Sequence, residues 1–400
     1  MKQDQAETPS QHSIDDSKAP KRVEIVLKTV SKEVSNVLGS YLKTAWSWLP
    51  TPAQKAVAGV ERRIASIPSI YFDPAIHVNR LERGTIVISL DFEMAWGWQH
   101  RVAPAIDFVS RGLWERAQVP RILKSLDCYR IPTTWFTVGH LFLDHCDRGR
   151  DGRAHTLIAR LPPGSYDSYR YQAGDWFQND PCTDFRRGPA WYAPDLVEMI
   201  LRSSVSHELA CHTFSHIYLG APCTVNVADC ELNASIDAMA GLGVKSDSFS
   251  FPRGSEGNFD SIVRSGFRIV RAFTGQRAIL SLPVLRDDGL WAVHCGTTID
   301  RGARWSHEER CSRLKSFVDA AAQQQLAFHM FLHPSLSTDD MDRIFVPFLA
   351  YCAHQRDRGL IDVVTVRDLV RNTRNRGGFH CAGKPIDGSH TKSIIDYSAE

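Results

Sequence analysis

The sequence of 400 residues lacks the patterns that mark several large classes of protein. It contains no run of 18 apolar residues, which a membrane-spanning helix needs. No GxGxxG or GxxxxGK[ST] motif follows an apolar run, which argues against a nucleotide site. The net charge is only +2, from 47 basic and 45 acidic residues, so no nucleic-acid partner is expected.

The ten cysteines include no CxxC pair and no short framework spacing. The first residues contain no apolar segment of the secretory signal type. Apolar residues make up 43% of the chain and charged residues 23%, values typical of soluble globular proteins. The sequence therefore predicts reduced thiols and a cytoplasmic protein.

Composition divides the chain into four parts. Residues 1–20 are polar and contain prolines, which predicts disorder. Residues 21–80 predict a helical extension, because apolar residues recur at helical spacing between 21 and 49. The sequence favours packing of this first helix on the domain or on a partner subunit. Its interspersed lysines make peripheral membrane contact through residues 21–49 the alternative. Residues 81–370 form the predicted main domain, and residues 371–400 predict a weakly ordered tail.

The main part of the chain alternates short apolar runs with helical patterns, an order typical of a parallel sheet in an α/β domain. The predicted strands lie within residues 84–93, 131–142, 206–212, 244–252, 267–273, 326–334 and 361–366. Their number predicts a (β/α) barrel, with an open doubly wound sheet as the alternative. The segment 144–190 is long and has no clear elements, which is typical of functional loops.

Polar side chains follow the ends of four predicted strands. They are Asp91, Glu93, His212, His216, Arg253 and His333. Because ligands of α/β folds bind outside the carboxyl ends of the strands, we expect these side chains to converge at one rim. An imidazole pair at short spacing, such as His212 and His216, suits a zinc-class ion.

The first strand carries two carboxylates. On an extended chain Asp91 and Glu93 project to the same side, and Phe92 between them points back into the core. Two carboxylates on one face repel each other unless a cation or a shared proton offsets the repulsion. Arg253 is a candidate for orienting a catalytic carboxylate and keeping it ionised. The ring of His333 is placed by the apolar strand that precedes it.

Each of these side chains also has a structural alternative. A lone histidine at a strand end is more often a hydrogen-bonded structural residue than a ligand. Asp91 could cap a helix or belong to a turn, and Arg253 could be a surface residue.

Taken together, the motifs resemble those of the polysaccharide deacetylases, carbohydrate esterase family 4, over about residues 82–370. "SLDFE" is similar to the first motif of the family, "HTFSH" to the second, "FPRGSEGN" to the arginine-proline motif and "LHP" to the leucine-histidine motif. More narrowly, the chain resembles a subgroup with an Asp-x-Glu first motif, associated with bacterial surface-glycan biosynthesis. The resemblance implies a distorted (β/α) barrel.

The resemblance also implies an activity and a cofactor. The reaction would be hydrolysis of an N-acetyl group from an amino sugar, in surface polysaccharide or glycolipid biosynthesis. The cofactor would be a divalent metal, expected to be zinc, held by His212, His216 and a first-motif carboxylate, here assigned to Glu93. Asp91 would act as base and His333 as acid, with Arg253 as a supporting catalytic residue.

This sequence departs from the family pattern at three points. The usual adjacent aspartates are spread to Asp91 and Glu93, and Pro252-Arg253 inverts the order of the arginine motif. The fourth motif has only weak counterparts in "LWAVHC" and "ARWSHEE". The alternatives to a deacetylase are another non-peptide carbon–nitrogen hydrolase, a non-catalytic glycan-binding barrel and an interaction protein recruited to membranes. The sequence carries no signal for the oligomeric state.

Overall fold

The computed structural model describes residues 69–70, 80–99, 107–162, 164–166, 169–171, 175–274, 279–299 and 305–374. The chain divides into two units, Met1–Ala65 and Ser66–Glu400, and every described residue lies in the second. The predicted disorder of residues 1–20, the helix predicted at 21–49 and the tail beyond residue 374 therefore lie outside the described residues.

Fourteen strands make up two sheets in the described residues. They are β1 (Ser69–Ile70), β2 (Gly84–Phe92), β3 (Thr134–Thr137), β4 (Gly164–Tyr166), β5 (Tyr169–Tyr171), β6 (Glu208–Cys211), β7 (Ser248–Ser250), β8 (Ile269–Phe273), β9 (Ile279–Ser281), β10 (Val284–Leu285), β11 (Trp291–Cys295), β12 (Thr297–Thr298), β13 (Ala327–Leu332) and β14 (Ile361–Val364). β4 and β5 pair only with each other, and the rest form one sheet in the order β1-β9-β13-β2-β3-β6-β7-β8-β11-β10. β12 and β14 join that sheet beside β13 and β2 respectively.

The helices connect the strands in the way that the sequence predicts for an α/β domain. They are α1 (Phe108–Tyr129), α2 (Pro194–Leu201), α3 (Val225–Gly241), α4 (Phe259–Arg264), α5 (His307–Gln324), α6 (Thr338–Asp340), α7 (Val346–Asp357) and α8 (Val366–Arg374). A π-helical turn, Met341–Phe345, joins α6 to α7. None of the helices in the described part of the chain combines the length and apolarity that a bilayer crossing needs.

Strand β2 lies at the centre of the large sheet. β13 runs parallel to it along one edge, whereas β14 and then β3 pair in parallel with its other edge. All nine residues of β2 are buried, which explains why this strand reads as a nearly continuous apolar run. Its carboxyl end lies beside the ends of its parallel neighbours, and this edge carries the candidate site.

The predicted fold class is confirmed as a distorted (β/α) barrel, in the form of a curled half-barrel sheet. Each of the seven predicted strand segments contains an observed strand. The short strands from β9 to β12 and the helical region from α6 to α7 were not predicted. Among the described residues the path of paired strands ends at β1 and β10, which do not pair with each other.

Candidate active site

Glu93 lies at the meeting point of three imidazole rings. Its Oε1 atom is 3.2 Å from Nε2 of His212, 3.0 Å from Nε2 of His216 and 3.5 Å from Nε2 of His333. Glu93, His212 and His216 are buried, and their ligand atoms all lie within 4.8 Å of one another. Two imidazole nitrogens and one carboxylate oxygen are a ligand set that zinc-class ions accept.

The protonation of His212 follows from its backbone contact. Its Nδ1 atom is 2.9 Å from the carbonyl oxygen of Ser250, at the end of β7. Because a carbonyl can only accept, Nδ1 carries a proton, and Nε2 is the ring nitrogen that faces Glu93. Metal-binding histidines usually donate their other ring N–H in this way. The residues of this cluster therefore fit a divalent ion.

The turn between the two histidines is held by a buried carboxyl group. Glu231, on α3, accepts the backbone N–H groups of Phe214 and Ser215 at 3.0 and 2.9 Å, and the hydroxyl of Ser215 at 2.6 Å. Burial raises the pKa of Glu231 to about 7, against the effect of these donors. Thr213 and His216 have left-handed φ angles of 58° and 62°, which non-glycine residues adopt at a cost. The strained turn brings both rings to the same side.

A glycine makes room for the Glu93 carboxylate. Gly97 ends the 3₁₀ turn Met94–Gly97 that follows β2, and a Cβ atom there would lie 1.9 Å from Oε2 of Glu93.

The backbone of Glu93 is held by a second carboxyl group. Glu115 of α1 accepts the backbone N–H groups of Glu93 and Met94 at 3.0 and 3.1 Å. Burial and the nearby charge of Glu93 raise the pKa of Glu115 to about 7.

Asp91 forms a bidentate ion pair with Arg271, a residue of β8. Nη1 and Nη2 of Arg271 lie 2.5 and 2.6 Å from the two carboxylate oxygens. The guanidinium lies between the rings of Phe136 and Phe331, 4.8 and 4.9 Å from their centroids. Burial alone would raise the pKa of Asp91, but the charge of Arg271 and its hydrogen bonds outweigh burial and hold that pKa below its usual range. Asp91 is therefore ionised at neutral pH.

The ion pair continues into the sheet through neutral groups. Arg271 Nη1 also donates to the hydroxyl of Ser89, which lies 2.8 Å from Nε2 of His329. Burial and the positive charge of Arg271 hold the pKa of His329 well below its usual value, so this ring stays neutral. Because the His329 ring is uncharged, the charged hydrogen-bond partner of Arg271 is Asp91.

The structure does not bring Arg253 to the site. Arg253 is exposed, in the 3₁₀ turn Pro252–Gly254, and has a left-handed φ of 56°. The guanidinium that orients Asp91, expected to be that of Arg253, is that of Arg271. The two arginines differ because of where their segments lie. β8 brings Arg271 into contact with Asp91, whereas the turn after β7 directs Arg253 to the surface. A sequence signal for Arg271 exists: it is a charged residue in the otherwise apolar run "IVRAF".

His333 follows β13 at the rim of the sheet. Its side chain is 30% exposed, in contrast to the buried rings of His212 and His216. Asp91, Glu93 and His333 also have ligand atoms within 4.8 Å of one another. The structure thus brings together all the predicted site residues except Arg253.

Comparison with known proteins agrees with this fold. Residues 103–265 match the family model described as polysaccharide deacetylase. That segment contains His212 and His216, whereas Asp91, Glu93 and His333 lie outside it. No curated protein matches the chain.

Solved structures of low sequence identity also match the chain. One is a protein from Mycobacterium smegmatis assigned as a polysaccharide deacetylase, with 14% identity and a TM-score of 0.53, covering 80% of this chain and 99% of that one. Another, from Pseudomonas aeruginosa PAO1 and similarly assigned, has 12% identity and a TM-score of 0.48, covering 74% and 92%. A family 4 carbohydrate esterase from Streptomyces lividans has 11% identity and a TM-score of 0.35, covering 70% and 91%. Residues 103–265 are therefore similar to the polysaccharide deacetylase family, and the half-barrel fold is that of the Mycobacterium smegmatis protein.

Proposed function

We propose that this chain is a metal-dependent hydrolase that removes the N-acetyl group from an amino sugar in surface polysaccharide or glycolipid biosynthesis. The observation that carries the proposal is the buried set of Glu93, His212 and His216 beside Asp91, whose ionised form Arg271 stabilises. The role in surface-glycan biosynthesis is supported by the resemblance of "SLDFE" to the Asp-x-Glu first motif of the subgroup associated with that process.

Glu93, His212 and His216 would hold the divalent ion, which we propose to be zinc. Three protein ligands leave room for water and substrate, as in catalytic rather than structural zinc sites. When bound there, such an ion would supply Lewis-acid chemistry, which polarises an amide carbonyl and lowers the pKa of a water molecule towards ~7.

Asp91 is the proposed general base. An ionised carboxylate has about four lone-pair positions, and the two hydrogen bonds from Arg271 use two of them. The remaining positions can accept the proton of the attacking water. Arg271 acts as a positioning residue, because it fixes the carboxylate in one orientation without itself facing the rim.

His333 is the proposed general acid. Its ring lies at the partly exposed rim, with Nε2 3.5 Å from Oε1 of Glu93. A protonated ring in this position can donate a proton to the departing amine, which would otherwise have to leave as an unstable anion. The acid and the base thus come from two neighbouring strands, β13 and β2.

We further propose that the protein acts in the cytoplasm, with peripheral membrane contact through residues 21–49 as the alternative to packing of that segment on the domain or on a partner subunit. Support comes from the lysines within the apolar helical pattern of that segment, and from Trp46 and Trp48 near its end. A substrate carried on a lipid at the membrane surface would suit this arrangement.

Acetate release from purified full-length protein tests the proposal. The panel presents acetylated amino sugars as free sugars, nucleotide sugars, lipid-linked sugars and polymers. We expect acetate and free amine in equal amounts from at least one of them. The double variant His212→Ala/His216→Ala should lose turnover and one equivalent of metal, whereas His354→Ala, an exposed histidine on α7, should keep both.

The other outcomes separate the competing functions. If the double variant binds as much metal as His354→Ala does, the metal assignment is wrong. Glycan binding with no acetate release would make the protein a glycan-binding barrel. Turnover confined to cyclic amides or ureides would make it another carbon–nitrogen hydrolase.

A further inference from the structure

A second group of metal-binding side chains lies in and beside the long segment that follows β3. His140, Cys146, His155 and Asp180 each offer one ligand atom, and these four atoms all lie within 4.8 Å of one another. His140 and Asp180 are fully buried, and His155 has an 11% exposed side chain. None of the four belongs to the site around Glu93.

The distances within this cluster are close to those of a tetrahedral metal site. The two Nε2 atoms of His140 and His155 are 3.1 Å apart, and each lies 3.0 Å from Oδ2 of Asp180. Sγ of Cys146 is 3.3 Å from the same oxygen. Zinc–ligand bonds of the usual lengths place neighbouring ligand atoms of a tetrahedron roughly 3.3–3.6 Å apart. Small outward movements of these side chains would therefore admit the ion.

Hydrogen bonds on the outer side of the cluster orient its ligands. Nδ1 of His140 is 3.1 Å from the carbonyl oxygen of Trp191, so that nitrogen carries a proton and Nε2 is left for the centre. Oδ1 of Asp180 accepts the hydroxyl of Tyr192 at 2.7 Å and the backbone N–H of Cys182 at 3.0 Å. This leaves Oδ2 of Asp180 facing the same centre. Metal-ligating histidines and carboxylates are commonly held in this way.

A cluster held together by hydrogen bonds alone accounts less well for these contacts. Oδ2 of Asp180 lies within hydrogen-bond distance of His140, His155 and Cys146 at once, and Cys146 also lies 3.2 Å from the hydroxyl of Tyr192. If Nε2 of His140 donates to this oxygen, His140 carries protons on both nitrogens, and its Nε2–H crowds that of His155, only 3.1 Å away. One divalent cation replaces these crowded protons and gives every ligand atom a partner.

We propose that His140, Cys146, His155 and Asp180 form a second metal site, of the structural zinc class. Four protein ligands complete a tetrahedron and leave no open position, which distinguishes structural from catalytic zinc. Nitrogen and thiolate ligands together favour zinc over calcium or magnesium. The site fastens a long segment with few regular elements to the end of β3.

The second site also supports the first through the backbone. The N–H groups of Gly139 and His140 donate to the carbonyl oxygens of Thr213 and Phe214 at 2.8 and 2.9 Å. The ring of Phe214 packs against those of His140 and His155, with centroids 5.4 and 5.1 Å apart. The structural ion would therefore stabilise the turn that presents the catalytic histidines.

Cobalt substitution tests this assignment without an activity assay. The site around Glu93 contains no sulfur ligand, so a sulfur-to-cobalt charge-transfer band in the near ultraviolet reports the second site alone. We expect the band in the full-length protein and in the His212→Ala/His216→Ala variant. Cys146→Ser should abolish the band. Cys128→Ser is the control and should keep it, because Cys128 is exposed on α1 and is not one of the four ligands.

Zinc content gives the second measurement. The His212→Ala/His216→Ala variant should retain about one zinc per chain, and adding His155→Ala should remove it. A cobalt-loaded protein without the band, a band that survives Cys146→Ser, or a His212→Ala/His216→Ala variant free of zinc would each overturn the assignment. If Cys146→Ser does not fold, the band of the unmodified protein and the zinc content of the double variant decide. These results do not depend on the proposed deacetylase activity.

Discussion

Asp91 and Arg271 form a buried two-point ion pair across 180 residues of sequence. Lysine cannot reproduce the two parallel hydrogen bonds of a guanidinium. We therefore expect Arg271→Lys to lower kcat by roughly 10²-fold through misplacement of the base, with KM little changed. The acid limb of the pH–rate profile should move to higher pH, because the pKa of Asp91 rises when its partner is weakened.

Arg253→Lys is the control for Arg271→Lys, since Arg253 is exposed and makes no contact with Asp91. It should leave both kcat and the pH profile unchanged. A loss from Arg253→Lys that equals the loss from Arg271→Lys would return the positioning role to Arg253.

Substitution of Asp91 should mainly lower turnover, whereas substitution of Glu93 should mainly lower metal binding. Asp91→Asn should lower turnover by roughly 10²–10⁴-fold and leave the catalytic metal bound, because an amide cannot accept the proton. Glu93→Gln should mainly weaken metal binding, because Glu93 is the carboxylate that contacts His212 and His216. Metal titration of each purified variant beside its rate provides the check. If Asp91→Asn loses the metal and Glu93→Gln keeps it, the roles are reversed.

His333→Ala should distinguish an acid from a packing residue. We expect a large loss of turnover on an acetamide, whose amine needs a proton, and a much smaller loss on an activated acetate ester, whose phenolate leaves unaided. The metal content should not change. Equal losses on both substrates together with a lower melting temperature would show that His333 acts only by packing.

Gly97→Ala should reduce the metal affinity of the catalytic site. The added Cβ would meet Oε2 of Glu93 at 1.9 Å, so the carboxylate must turn away from the two histidines. Gly241→Ala is the matched control, because a Cβ there has no neighbour within 4 Å. We expect at least about a tenfold loss of affinity for Gly97→Ala, the lower end for a disturbed ligand environment. Equal affinities in the two variants would contradict the close contact.

Glu231 should make the stability of the protein depend on pH. Its folded pKa is about 7 against an ordinary value of 4.5, so the folded state holds a proton that the unfolded state releases first. The resulting stabilisation is complete below about pH 4.5 and is lost as the pH rises to about 7, which corresponds to roughly 3 kcal/mol. Glu231→Gln should lack this part of the slope. Urea unfolding of both proteins at several pH values measures the difference, and parallel curves would rule the titration out.

The catalytic site could be predicted from the sequence because its residues follow strands. Asp91, Glu93, His212, His216 and His333 come at or just after apolar runs, and parallel strands bring their carboxyl ends to one edge. The contact between Arg271 and Asp91 could not be predicted from strand ends alone. It depends on the curl of the sheet from β2 through β3, β6 and β7 to β8. The support from Glu115 and Glu231 likewise depends on helix packing, which periodicity alone does not specify.

The ligands of the second cluster follow no period at all. His140, Cys146, His155 and Asp180 are spaced irregularly through a segment whose path is set by tertiary contacts. The only signal in the sequence is the density of histidine and cysteine between residues 140 and 182. The length of that segment predicted a functional loop but not the kind of function.

The position of β2 has a consequence for synthesis of the protein on the ribosome. Ser89 on β2 is hydrogen-bonded to His329 on β13, which is 240 residues later in the chain. At ordinary elongation rates of ~5–20 residues per second, β2 waits roughly 10–50 s for β13 to be translated. During that interval an apolar strand that is fully buried in the finished protein has no partner on this edge. The nascent chain should therefore need chaperone protection, and slow growth at low temperature should favour a soluble product over inclusion bodies.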